Sequence, residues 1–255
     1  FDKNSSNSGG GVYNDNATSN YTNCLFTENN ANSNGGGVYN DNSTSNYTTC
    51  LFTENNANTD GGGFYCNNSQ ISLDSCTFEK NNGFFGGGGL FGVNSQINMS
   101  SCILSQNFSV SYGGGMHGQN LTGDITSCSF LENSAENGGG TWIYSWTNDT
   151  TNYINCTFSS NNATYGGGIY IGCPASITNC NFTENTATYG AGMFHSYYTS
   201  RLNNCTFTSN SATIQGGGVF EGYPSELYEK CIFYQNSAPL GGGVFSSNFA
   251  SPNFS

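Results

Sequence analysis

The groups in this chain that could do chemistry are a few carboxylates, two imidazoles, eleven thiols and a tryptophan pair, and most of them recur too regularly for a reaction. Cleavage of a glycosidic bond needs two carboxyl groups about 5–9 Å apart. Asp124 and Glu132 are close in sequence but fall on either side of the segment around Cys128. Glu28, Glu54, Glu79, Glu132 and Glu184 form a partial column at a turn, which reads as a solvated edge with carboxylate and carbonyl oxygens for weak Ca²⁺ binding. Arg201, the sole arginine, has no acid beside it, and His117 and His195 lie three repeats apart, too far to share a metal. No catalytic constellation emerges. The chain reads as a non-enzyme with no cofactor.

The tryptophans are different. The stretch from Thr141 to Asn155 is about three residues longer than its equivalents and holds Trp142, Tyr144 and Trp146. Insertions in repeat proteins map to surface loops and often carry binding. A carbohydrate site on these three residues is one expectation; a loop that packs its own aromatics is the other.

What positions these residues is a period of about 26. Cysteine falls at Cys24, Cys50, Cys76, Cys102, Cys128, Cys156, Cys180, Cys205 and Cys231. Two residues later comes Phe or, once, Leu104. Three further on stands Asn29, Asn55, Asn81, Asn107, Asn133, Asn161, Asn185, Asn210 or Asn236. A glycine triplet follows, altered only at Gly190-Ala191-Gly192. Such a period is too short for a helical-pair repeat. Segments such as Ile71-Ser72-Leu73 and Cys76-Thr77-Phe78 alternate as strands do. Three short strands per repeat make one coil of an all-β, single-stranded parallel β-helix of about ten coils, spanning residues 1–255 as one domain. No coil buries its apolar face alone, so stacking must make a continuous core.

Repeated positions then become files along the rod. The Phe and Cys files share a strand face and point inward. The Asn file should sit at a turn, where Asn tolerates a left-handed backbone and its amide bonds the Asn of the next coil. Neighbouring ladder cysteines come within disulfide range with side chains side by side, so buried free thiols and strained stacked disulfides both fit. Cys66 and Cys173 stand outside the ladder, about four coils apart. After the glycines, an aliphatic file (Val12, Val38, Phe64 and onward) precedes an aromatic one running from Tyr13, Tyr39 and Tyr65 to Phe245. If the first faces inward, the second forms an exposed stripe; a local bend or a coat of glycans would cover it.

The pairing of Phe-x-x-Asn with Gly-Gly-x-aliphatic, as in Phe207-Thr208-Ser209-Asn210 and Gly217-Gly218-Val219, resembles the repeats of the polymorphic outer-membrane protein family. That resemblance implies a right-handed β-helix exposed at a surface, and no particular reaction. The family's membrane-embedded barrel has no counterpart in the chain.

Composition bounds the partners. Net charge is −12, with only Lys3, Lys80, Arg201 and Lys230 as cations, which excludes nucleic acid as a partner and disfavours anionic membranes. No apolar run is long enough for a transmembrane helix. Fifteen Asn-x-Ser/Thr sequons occur, most of them accounted for by composition. Asn16, Asn20, Asn42, Asn46, Asn67, Asn98, Asn120, Asn148 and Asn162 are the candidates for N-linked glycans; Asn155, Asn181 and Asn204 flank ladder cysteines and are expected to lie too close to a strand. The chain begins at a Phe and ends in register just before a Cys, so either the units join head to tail into a fibre or the fragment is simply truncated. The expected function is an extracellular, glycosylated structural or adhesive β-helix whose partners are copies of itself and surface carbohydrate. A carbohydrate-active enzyme and a glycan-binding module are the alternatives.

Overall fold

The computed structural model describes residues 1–255 except 148–149, 197, 199, 223–226, 248–252 and 255, and the backbone only at 253–254. Every described strand pairing is parallel and joins one coil to the next. Three long sheets run the length of the rod. The first has ten strands, from Val12–Asp15 to Val244–Ser246. The second has ten, from Thr18–Thr22 to Asn253–Phe254, and the third has nine, from Leu25–Thr27 to Ile232–Tyr234. A fourth element, not expected from the three-strand pattern, is a two-residue strand such as Ser5–Ser6 that pairs through five successive coils.

Alternation sets which side chains enter the core. In Gln70–Asp74, Ile71 and Leu73 are buried while Gln70, Ser72 and Asp74 are exposed. In Thr77–Glu79 only Phe78 is fully buried. The buried apolar side chains form one cluster running from Phe26 to Tyr228. Phe26, Phe52 and Phe78 stack face to face with ring centroids 4.7 and 4.5 Å apart, which is the coil-to-coil spacing.

From Asn29 to Asn210 the asparagine file is buried, and each amide is fully used. Asn81 Oδ1 accepts from both the backbone N–H and the Nδ2 of Asn55, at 3.0 Å each. Its own Nδ2 donates to Asn107 Oδ1 at 3.0 Å and to the Phe52 carbonyl at 2.8 Å. Two lone pairs and two protons are thereby consumed. The left-handed residue is not this asparagine but the one before it: Glu28, Glu54, Lys80, Gln106, Glu132, Ser160, Glu184, Ser209 and Gln235 all have φ between 50° and 56°. The corner swings the next residue inward, so a side chain that only had to tolerate the bend is free to vary, while the inward amide is not.

The glycine triplet packs against this file. A Cβ on Gly63 would lie 2.6 Å from the Gly89 carbonyl oxygen of the next coil and 3.0 Å from Asn81 Cγ. The third glycine is therefore needed for close approach between coils.

Candidate functional site

A six-residue gap between the first two sheets marks where the rod's surface changes character. Strand Phe64–Asn67 is followed after two residues by Gln70–Asp74. Thr141–Tyr144 reaches Thr151–Ile154 only after residues 145–150. Within Thr141–Tyr144, Thr141 and Ile143 point into the core, so Trp142 and Tyr144 share the outward face. Their register partners in the preceding coil are His117 and Gln119. Trp146 follows in the longer turn and is 62% exposed.

These residues and Tyr112 enclose a cleft of 330 Å³, enough for a small ligand, lined by Tyr112, His117, Gln119, Trp142, Tyr144 and Trp146. Trp142 and Tyr144 are near-parallel with centroids 5.7 Å apart, and Tyr144 and Trp146 meet edge to face at 5.0 Å. Tyr112 leans on Trp142 at 4.9 Å. The expected trio of Trp142, Tyr144 and Trp146 is thus brought together. Tyr112, His117 and Gln119 were missed as lining, because they come from the preceding coil and share no motif with the insertion.

His117 is the unusual member. Its ring is wedged between Phe91 (centroids 4.4 Å, interplanar 72°) and Trp142 (4.6 Å, 85°). It is 7% exposed, and neither ring nitrogen has a hydrogen-bond partner. Burial pushes its pKa down to about 3, so the imidazole is neutral at physiological pH. An unpaired buried polar group costs about 1–3 kcal/mol. Across the Trp146 turn lies a second, polar groove of 400 Å³ that includes Gln70, Asn94, Gln96, Asn120 and Thr147. Asn120 Oδ1 accepts the Trp146 backbone N–H at 3.0 Å, tying the two walls together.

The aromatic stripe does point outward, since Phe64, Leu90, Met116, Ile169, Met193 and Val219 of the aliphatic file are fully buried. It is not openly exposed, however. Tyr13 is exposed, but Tyr39, Tyr65, Trp142, Tyr170, Phe194, Phe220 and Phe245 are half-buried and Phe91 and His117 are buried, each ring covered by its neighbours above and below.

Of the sequons, Asn16 and Asn42 sit at exposed left-handed corners, whereas Asn20 and Asn46 lie mid-strand on an exposed face rather than in loops, with Asn46 Nδ2 donating to Asn20 Oδ1 at 2.8 Å. Asn98 and Asn162 are exposed, Asn67 and Asn120 half-buried, and Asn148 lies outside the described residues. Asn155, Asn181 and Asn204 are exposed, because the residues beside a buried ladder cysteine face outward, and each lies in a strand or within two residues of one. Asn107 also carries a sequon but is buried in the asparagine file.

The ladder cysteines form no disulfide. Each interior thiol donates to backbone carbonyls, as Cys76 does to Asp74 and Tyr47 at 3.4 Å. The neighbouring thiol and then burial push Cys76 and Cys102 up to about 12, and burial does the same to Cys66. These three thiols are protonated and unreactive at neutral pH. Cys66 and Cys173 are buried in the first sheet and just beyond it.

Two expectations about charge need correction. Glu79 is paired with Thr53, one place out of the glutamate column, and Lys80 takes the place there. Arg201 does have an acid beside it: Glu229 of the next coil, at 2.7 Å. The sequence gap between them hides a contact across one coil. Among the described residues no group of three or more His, Cys, Asp or Glu is arranged to hold a metal. A buried carboxylate was missed: Glu221, in register with His195, accepts from Tyr228 Oη at 2.5 Å and Ser246 Oγ at 2.6 Å inside the core. Its signal was the inward third position after the triplet.

Residues 23–41 match the Chlamydia polymorphic membrane protein (Chlamydia_PMP) repeat. No curated protein and no solved structure matches the chain. The chain carries repeats of this type on a parallel β-helix. That combination fits a surface, adhesin-type protein, and the repeat's family is one of surface proteins rather than enzymes. Among the described residues no helix is long and apolar enough to cross a membrane.

Proposed function

We propose that the chain is an extracellular structural and adhesive rod whose units stack head to tail, without enzymatic activity of its own. The observation that carries this reading is the self-complementarity of consecutive coils. The same residue positions pair in the same register from coil to coil, as in Val12↔Val38 and Phe64↔Leu90, so one coil's free edge has the shape and hydrogen-bond pattern of the next one's partner. A heterologous contact that repeats without closing makes an open fibre. The repeated polar groups are spent on stacking, which leaves the variable outward positions for adhesion and for glycans. Asn16 and Asn42, at exposed corners, are the best N-glycan positions.

Electron microscopy of the purified protein should show threads one rod wide that lengthen with concentration. Single monodisperse rods at every concentration would refute the stacking. Mass spectrometry before and after enzymatic glycan removal, on protein from its native source, should show a loss of mass at Asn16 and Asn42.

A further inference from the structure

We propose that the cleft between Tyr112, His117 and Trp146 binds a neutral sugar, with a pyranose face against Tyr144 and Trp146 and hydroxyls hydrogen-bonded to the Gln119 amide. The site does not depend on head-to-tail stacking, and its test uses the isolated chain.

Size and chemistry agree. At 330 Å³ the cleft is at the small end of ligand pockets, which run about 300–1,000 Å³. Its walls are four aromatic rings and two uncharged polar side chains, Gln119 and the neutral His117. The chain's four cations, Lys3, Lys80, Arg201 and Lys230, are elsewhere, so a sulfate, phosphate or uronic acid would find no counter-charge. Aromatic rings around a cleft also attract quaternary ammonium ions, and a net charge of −12 would help. The Gln119 amide decides between the two, because both His117 nitrogens are sealed from the cleft. A quaternary ammonium carries no hydrogen-bond donor or acceptor and would leave the amide unused. A hydroxyl is donor and acceptor at once and pairs with either end of the amide. The adjoining groove beyond Trp146, lined by Gln70, Asn94, Gln96 and Asn120, offers uncharged amides on which a sugar chain can continue.

His117 serves the cleft as a wall, its ring held between its register neighbours Phe91 and Trp142. Phenylalanine there would pack without a polar penalty.

Both tryptophans of the chain line this cleft, so emission excited selectively from tryptophan reports on it alone. The full chain, produced without glycans so that Asn120 is bare, is titrated with chitotetraose, cellotetraose and mannotetraose, and in parallel with tetragalacturonate and tetramethylammonium. At least one neutral tetrasaccharide should shift the emission saturably with Kd of about 1 mM or tighter. By calorimetry, Trp146→Ala should weaken that binding about 10-fold or more with an unchanged circular dichroism spectrum. Gln119→Leu should weaken it about 5-fold or more, also with an unchanged circular dichroism spectrum. Binding unchanged in either variant overturns the proposal. So does saturation by tetramethylammonium or tetragalacturonate in place of the neutral sugars, or no saturation by any of them.

Discussion

The coils from Phe26 to Asn107 and the coil that carries Trp142 are built on one plan and solve it differently. In the first region like stacks on like. Phe26, Phe52 and Phe78 are parallel to within 3°, and Asn29, Asn55, Asn81 and Asn107 pass identical hydrogen bonds from coil to coil. Identical rungs satisfy each other because a donor and its acceptor arrive with the same offset every time. In the second region, the outward file changes type at each rung, from Phe91 to His117 to Trp142 to Tyr170. The rings turn edge to face or tilt, His117 loses any hydrogen-bond partner, and Trp146 swings out. Repetition spends polar groups internally; a break in it leaves one of them buried and unspent.

That contrast can be broken most forcefully in the regular region. Asn81→Ala should cost about 3–6 kcal/mol in denaturant unfolding, because it strands the Asn55 N–H, the Asn55 amide and the Phe52 carbonyl together. A loss below about 1 kcal/mol would mean that the file is a consequence of stacking and not a support for it. Gly63→Ala, whose Cβ meets the next coil's carbonyl, should cost about 1–3 kcal/mol by the same measurement.

The imidazole offers a smaller and opposite effect. His117→Phe should stabilise by about 1–3 kcal/mol. It should also flatten the acid limb of the stability curve. The folded pKa of His117 is depressed, so the unfolded chain binds more protons between its ordinary value and about 3, and stability falls as pH drops through that window. The variant lacks this term. Cys66, Cys76 and Cys102 act on the other limb. Their folded pKa values are raised to about 12 from an ordinary value of 9, so the stability they contribute is complete below pH 9 and is lost as pH rises toward 12. Thermal melts across the alkaline range should show this decline, and alanine at Cys76 should reduce it. Least affected should be Trp146→Ala, within about 0.5 kcal/mol of the parent, since the side chain is mostly in water.

The spacing of Cys, Phe, Asn and Gly was enough to read the β-helix, its inward files and the odd insertion. Residues whose role depends on a neighbour 25 or more positions away were not legible in the same way. Arg201 finds Glu229, and His117 and Tyr112 join Trp142, only across a coil boundary. The corner residue before each asparagine was misplaced by one, because Asn is itself a common left-handed residue and the varied Glu, Lys, Gln and Ser there carry no such signature.

On its own, the sequence determined the period, and with it the parallel stack, the core and the files that run along it. A strand's alternation is a local property, so the pattern shows which side chains face inward. The tertiary structure decided the rest: the exhaustion of the asparagine amides, the free state of the ladder thiols, the covering of the aromatic stripe and the cleft beside His117. Each of these depends on distances between coils, and such distances exist only once the chain has wound back on itself.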